Sequence, residues 1–110
     1  MEIFKKIKPL SVNEAWQGKR FKTPKYKFYE QKLLLTLPKK ELPPKPYSIY
    51  FEFGLSSKLA DYDNCVKVLQ DVLCKKYDFD DRDIIEGRVK KILVAKGEEY
   101  IKVKIETFTA

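Results

Sequence analysis

A chain of 110 residues, 44% of them hydrophobic, suits one domain with a modest core and excludes wholesale disorder. It contains no histidine, which excludes Ser-His-Asp and Cys-His nucleophilic sites, histidine general bases and histidine-held metals; any metal must be held by oxygen, as Mg²⁺ or Mn²⁺ would be. The formal charge of +7 is carried by 20 lysines and three arginines (Arg20, Arg82, Arg88), a balance that favours contact with a phosphate backbone over the reading of a long base sequence.

The first residues, Met1-Glu2-Ile3-Phe4-Lys5, lack the apolar stretch of a signal peptide. Leu33-Leu34-Leu35, the longest membrane-span candidate, is interrupted at once by Thr36, so no membrane partner and a cytoplasmic location are expected. Ile3 to Lys8 alternates weakly and predicts a first strand ending at Pro9. Leu10 to Lys25 mixes Ser, Asn, Gly and Pro with many charges and reads as an exposed loop. Within it Lys19, Arg20, Lys22 and Lys25 surround Trp16 and Phe21, and basic residues interleaved with aromatics suit a nucleic-acid contact. The competing role for Trp16 is packing on the core.

Tyr26, Tyr29, Leu33 and Leu37 recur at helical spacing, and Pro38 stops the helix. Residues 38 to 46 hold four prolines and predict a stiff connector. In Tyr47-Ser48-Ile49-Tyr50-Phe51-Glu52-Phe53 the odd-numbered residues are apolar, which predicts a half-buried strand. From 63 to 76 the helical period puts Cys65, Val66, Leu69, Val72 and Leu73 on one side, with Asp63, Lys67 and Asp71 four apart on the other. Cys65 and Cys74 on one such helix are too far apart for a disulfide, and their spacing fits no zinc motif. Ile84 to Ala95 reads as a strand bulged at Gly87, Lys96-Gly97 as a hairpin turn, and Tyr100 to Thr107 as a strand with Ile101, Val103 and Ile105 inward. The expected fold is α/β (α+β): a small mixed sheet covered by two helices, one domain over residues 1–110.

Charge is distributed unevenly over these elements. Residues 1 to 46 carry 12 Lys/Arg against 4 Asp/Glu, whereas residues 61 to 86 carry 4 against 8, half of all the acids. Asp61 and Asp63 stand at the start of the predicted helix, and Asp78, Asp80, Asp81 and Asp83 follow its end. Crowded carboxylates raise one another's pKa unless a cation sits among them. An acid cluster on a basic protein is what a Mg²⁺-dependent enzyme acting on nucleic acid needs. A helix-starting aspartate has an ordinary use as a cap, and an acidic run is often a solvated turn. An EF-hand is excluded: the 78–89 run has no glycine at its sixth position, and Val89 stands where the bidentate glutamate belongs.

The pattern resembles the RusA-like Holliday junction resolvases, small endonucleases common in phages and prophages. Asp61-Tyr62-Asp63-Asn64 with Lys67 is similar to that family's D-x-D-N-x-x-K signature, Asp80-Asp81 to its paired aspartates, and Pro9-Leu10-Ser11-Val12-Asn13 to its proline-serine-asparagine turn. The resemblance implies a Mg²⁺-dependent homodimer (Mn²⁺ as a substitute, no organic cofactor) that cuts four-way DNA junctions by symmetric paired nicks. It implies Asp61, Asp63 and Asp81 as metal-holding catalytic carboxylates and Lys67 as the catalytic lysine. Asn13 and Lys58 join Lys19, Arg20, Lys22 and Lys25 as expected DNA contacts. Two departures matter. Ser56-Ser57-Lys58-Leu59-Ala60 stands where the family carries several arginines, and the spacer from Lys67 to Asp81 is about a residue short, which leaves Asp80 and Asp83 as alternatives for the third carboxylate. A non-catalytic DNA- or RNA-binding protein, and a nuclease of the same chemistry directed at other branched DNA, are the rival expectations.

Overall fold

The computed structural model describes residues 1–18 and 21–110. Along the chain, β1 spans Glu2–Lys5, α1 Val12–Ala15, β2 Trp16–Gln17, β3 Phe21–Lys22, α2 Pro24–Thr36, β4 Tyr47–Leu55, α3 Val66–Tyr77, a 3₁₀ turn Asp81–Asp83, β5 Ile84–Leu93 and β6 Tyr100–Thr107. The described residues make one four-stranded sheet in the order β1-β6-β4-β5 and a separate two-stranded ribbon, β2-β3. The result is a single α+β domain with a radius of gyration of 13.7 Å, close to the ~13 Å of a folded chain of this size. No described helix is long and apolar enough to cross a membrane.

Apolar alternation decides which strand is central. Tyr47, Ile49, Phe51 and Phe53 of β4 are buried, as are Ile101, Val103 and Ile105 of β6 and Ile3 of β1. Against them pack Tyr26, Tyr29 and Leu33 of α2 and Val68, Leu69, Val72 and Leu73 of α3, all in one core. α2 starts at Pro24, two residues before the expected Tyr26, for physical reasons: the Tyr26 N–H donates to the Thr23 side chain, and Pro24 fills the first turn, where no amide hydrogen is needed. Cys65 and Cys74 are both free, as their spacing required.

Four expectations need correction. Ile84–Leu93 and Tyr100–Thr107 are not hairpin partners, because β4 lies between them, parallel to β5 and antiparallel to β6. The most apolar strand takes the centre, and the charged β5 takes an edge, where exposed polar side chains are tolerated. α3 supplies the crossover that a parallel β4–β5 pair demands. The turn at Lys96-Gly97 does exist, with Gly97 at φ 95° and the Glu98 N–H donating to the Ala95 carbonyl at 2.9 Å. The irregularity of β5 falls at Ile85, not Gly87: Tyr47 pairs with Ile84 and Ser48 with Glu86, whereas Gly87 pairs regularly with Ile49.

The segment expected as a loop, Leu10 to Lys25, contains α1 and the β2-β3 ribbon. Ser11 nucleates α1, its Oγ accepting from the Glu14 N–H at 3.3 Å and donating to Glu14 Oε1 at 3.1 Å, a local bond that a composition-based loop reading passes over. Trp16 packs edge-on against Tyr26 at 5.4 Å between ring centres. Finally, α3 begins at Val66, not residue 63. Tight turns come first, with the Asn64 N–H donating to the Asp61 carbonyl and the Val66 N–H to the Asp63 carbonyl. Asp63 therefore precedes the helix.

Among the described residues, no helix packs on the opposite face of the sheet. There Tyr100 lies over Gly54, where an added Cβ would come within 2.3 Å of its ring. The Glu52 carboxylate accepts from the Tyr50 hydroxyl at 2.7 Å and the Tyr100 hydroxyl at 2.5 Å.

Candidate functional site

With Val68, Leu69, Val72 and Leu73 turned to the core, Lys67 and Asp71 are left on the outer face of α3. The Lys67 ammonium stands 2.9 Å from Asp71 and 3.4 Å from Asp81. Asp81 is brought there by a chain reversal. Asp78 ends α3 in the left-handed region at φ 54°, and the Phe79 N–H donates back to the Cys74 carbonyl at 3.2 Å. Phe79 then anchors the return edge-on against Tyr47. Of the three alternatives for the third carboxylate, Asp81 is the one at Lys67. Asp80 turns onto its own 3₁₀ turn, accepting from the Arg82 N–H at 3.0 Å, and Asp83 pairs with Lys45 at 3.2 Å.

These contacts set the local protonation. The Lys67 pKa is raised, first by its hydrogen bond to Asp71 and then by Asp81, so the ammonium stays charged. The Asp80 carboxyl is held below its ordinary value, chiefly by the Arg82 amide. Burial pushes the Cys65 and Cys74 thiols up to about 11, the opposite of what a nucleophilic thiolate needs. Asp71 was not among the expected site residues, although its place four residues after Lys67 on one face was the available signal.

Asp61 and Asp63 lie on the turn before α3, both exposed. Neither caps the helix: Cys65 is the N-cap, without a side-chain cap bond among the described residues. The Asp61 carboxylate instead accepts from the Asn64 side-chain amide at 3.3 Å. The turn is fastened from two sides. The Val12 N–H donates to the Asn64 carbonyl at 2.9 Å, joining the proline-serine turn to the aspartate turn. The Lys91 ammonium donates to the Lys58 and Ala60 carbonyls at 3.0 and 2.6 Å. Asp61 and Asn64 form part of the wall of a concavity of about 270 Å³, opposite Ser11 and Glu14.

The donors fit a hard cation in kind, since carboxylate oxygen is what Mg²⁺ takes. They are not gathered into a cage: among the described residues no three acidic or thiol side chains stand together closely enough to share one ion. Asp61 and Asp63 precede α3, while Asp81 lies across its outer face with Lys67.

The expected DNA contacts divide. Lys22 is tied to Glu30 at 2.9 Å and stands 4.9 Å over the Tyr26 ring, so it is committed to the protein. Lys25 is exposed and weakly paired with Glu14 at 3.4 Å, and Asn13 and Lys58 are exposed. Lys19 and Arg20 lie outside the described residues. In comparisons with known proteins, no family model matches the chain, and no curated protein sequence matches it.

Proposed function

We propose that the protein is a metal-dependent endodeoxyribonuclease that cuts branched DNA, with the four-way junction as its substrate. The observation that carries this reading is the meeting of Lys67 with Asp81 across 14 residues of sequence. The signature resemblance asks for a lysine and a following aspartate to act together, and composition alone gives no reason for them to meet. The bond from Val12 to Asn64 supports it further, because it joins the other two motif pieces.

In this reading Asp61, Asp63 and Asp81 would hold Mg²⁺ (or Mn²⁺), which would supply a polarised water and positive charge at the scissile phosphate. Lys67, kept protonated by its carboxylate neighbours, donates to a phosphate oxygen as negative charge builds there. Asn64 orients Asp61 through its side-chain amide. A homodimer suits a junction, since two equivalent sites can meet two equivalent strands. The reading carries a cytoplasmic location with it.

One observation favours a second reading, a non-catalytic nucleic-acid-binding protein: the three aspartates are not gathered, and Lys67 already satisfies Asp71 and Asp81. One experiment separates the two. A labelled four-way junction and a linear duplex are incubated with the protein in Mg²⁺, in Ca²⁺ and in EDTA. Paired nicks in the junction with Mg²⁺ alone support the nuclease. Binding without nicks under every condition supports the second reading.

A further inference from the structure

Beside the aspartate turn lies a larger concavity of about 460 Å³, in the range of about 300–1,000 Å³ that ligand sites occupy. The two hollows abut, sharing Lys8, Pro9, Glu14 and Glu99 in their walls. Together they form a trough from the outer face of α2 to Asp61 and Asn64. Four lysines edge its wider part, against two glutamates. Lys6 is paired with Glu98 and Lys25 with Glu14, but among the described residues Lys8 and Lys32 have no ion-pair partner. Phe28 lines the same hollow and is 66% exposed, with the Lys32 ammonium 5.7 Å above its ring.

An exposed aromatic on a helix calls for a reason. Phe28 takes no part in the buried core: α2 buries Tyr26, Tyr29 and Leu33 and turns Lys25, Phe28 and Lys32 outward. A flat aromatic face beside ammonium groups that have no ion-pair partner within about 4 Å among the described residues matches one chemistry well, an unpaired nucleotide whose base stacks on the ring and whose phosphates meet the lysines. Duplex DNA keeps its bases inside the stack and has nothing to offer the ring. An apolar protein partner has nothing to offer the lysines.

We propose that this trough binds single-stranded DNA, with a base stacked on Phe28 and phosphates on Lys8 and Lys32, and leads the strand toward the Asp61 turn. The inference rests on the branched-DNA reading above for its biological sense, because a junction that opens at its crossover exposes unpaired nucleotides. Its geometry stands without any cleavage step.

The test is fluorescence anisotropy with a labelled oligothymidylate in EDTA, so that no cutting intrudes, with linear duplex as comparator. Phe28→Ala should weaken oligothymidylate binding roughly 5- to 150-fold, the range for loss of one stacked base, and change duplex binding little. Phe28→Trp should bind at least as tightly as the wild type, and thermal melting of both variants checks the fold. Lys8→Ala and Lys32→Ala should each flatten the salt dependence by about 0.7 in slope. Wild-type binding of oligothymidylate unchanged by Phe28→Ala overturns the proposal. So does a change of oligomeric state in Phe28→Ala without a change in DNA binding, which assigns the face to a second copy of the chain. If junctions are cut but the trough variants bind like the wild type, the trough fails and the nuclease stands. If binding depends on Phe28 but no branched DNA is cut, the trough stands and the nuclease fails.

Discussion

The Val12 N–H donates to the Asn64 carbonyl at 2.9 Å, tying two turns that lie 52 residues apart in sequence. Val12 is the first residue of α1, a position where proline costs no helical hydrogen bond and its fixed φ suits the helix. Ser11 before it is already extended, at φ −80° and ψ 158°, as a residue preceding proline must be. Val12→Pro therefore deletes this one bond with little other disturbance. We expect a loss of about 1 kcal/mol in denaturant unfolding and a larger proportional fall in junction cleavage, because the aspartate turn loses a fastening. A variant as active as the wild type would show that the turn is held by Lys91 alone.

The carboxylates give the next prediction. Asp61→Asn, Asp63→Asn and Asp81→Asn should each lower cleavage by orders of magnitude while junction affinity, measured by gel shift in EDTA, holds or rises, since removing negative charge favours a polyanion. Asp80→Asn and Asp83→Asn should cut nearly normally, because Asp80 serves its own turn and Asp83 serves Lys45. Reversal of that order, with Asp81→Asn active and Asp80→Asn dead, moves the third carboxylate.

The open face of the sheet predicts a pH dependence. Hydrogen bonds from Tyr100 and then Tyr50 hold the Glu52 carboxyl below its ordinary 4.5. A depressed folded pKa adds stability that is present above the unfolded value and lost as pH falls through the folded one. Glu52→Gln should thus melt earlier than wild type near neutrality, and the gap should close on the acid side of pH 4.5. Tyr50, chiefly through its bond to Glu52, and Tyr100, chiefly through burial, are pushed up to about 12. Their contribution is intact below pH 10 and fades as pH rises toward 12. Phenolate absorbance should show Tyr50 titrating earlier in Glu52→Gln.

Much of the fold is legible in the sequence because it rests on periodicity. The inward faces of Tyr47–Leu55 and Tyr100–Thr107 are set by alternation, and α2 is framed by Thr23-Pro24 at one end and Pro38 at the other. Pairing is not legible in the same way. The two closing strands follow one another across a short turn, as hairpin strands do, and only competition for the two edges of β4 separates them. The site divides along a similar line. Lys67 and Asp71 meet by helical spacing, which a sequence displays, whereas Asp81 arrives through the left-handed Asp78 and the anchoring of Phe79. The sequence suggests a start for α3 three residues early because Asp63 fits the helical spacing of Lys67 and Asp71, while the tight turns at Asn64 and Val66 leave no trace in hydropathy.

Tyr29 offers a test of the core alone. Its hydroxyl is buried without a hydrogen-bond partner among the described residues, and burial pushes its pKa well above the ordinary 10. A buried unsatisfied hydroxyl costs about 1–3 kcal/mol. Tyr29→Phe keeps the ring and removes that cost, so the melting temperature should rise by about 4 °C or more for a domain of this size. A lower melting temperature would mean that the hydroxyl has a partner in solution.

Lys67 separates chemistry from scaffolding most sharply. Its contacts with Asp71 and Asp81 are surface ion pairs, with 59% of the lysine side chain exposed, and such pairs contribute about 0.3–0.5 kcal/mol at most helix positions. If that is its whole role, Lys67→Ala shifts the unfolding midpoint slightly and leaves cleavage intact. If the ammonium instead meets charge that develops on the phosphate, its loss costs roughly 10²–10³ in rate. We expect the second outcome: a folded Lys67→Ala protein that still binds junctions and cuts them far more slowly. Lys67→Arg should restore little, because the guanidinium is larger and its donors point differently. Asp71→Asn sharpens the comparison, since it removes the closer partner but leaves the ammonium and Asp81. Cleavage by Asp71→Asn should survive, with the lysine freed from its 2.9 Å bond. A Lys67→Ala protein that cuts within a few-fold of wild type removes the lysine from the mechanism and the signature resemblance loses its strongest support.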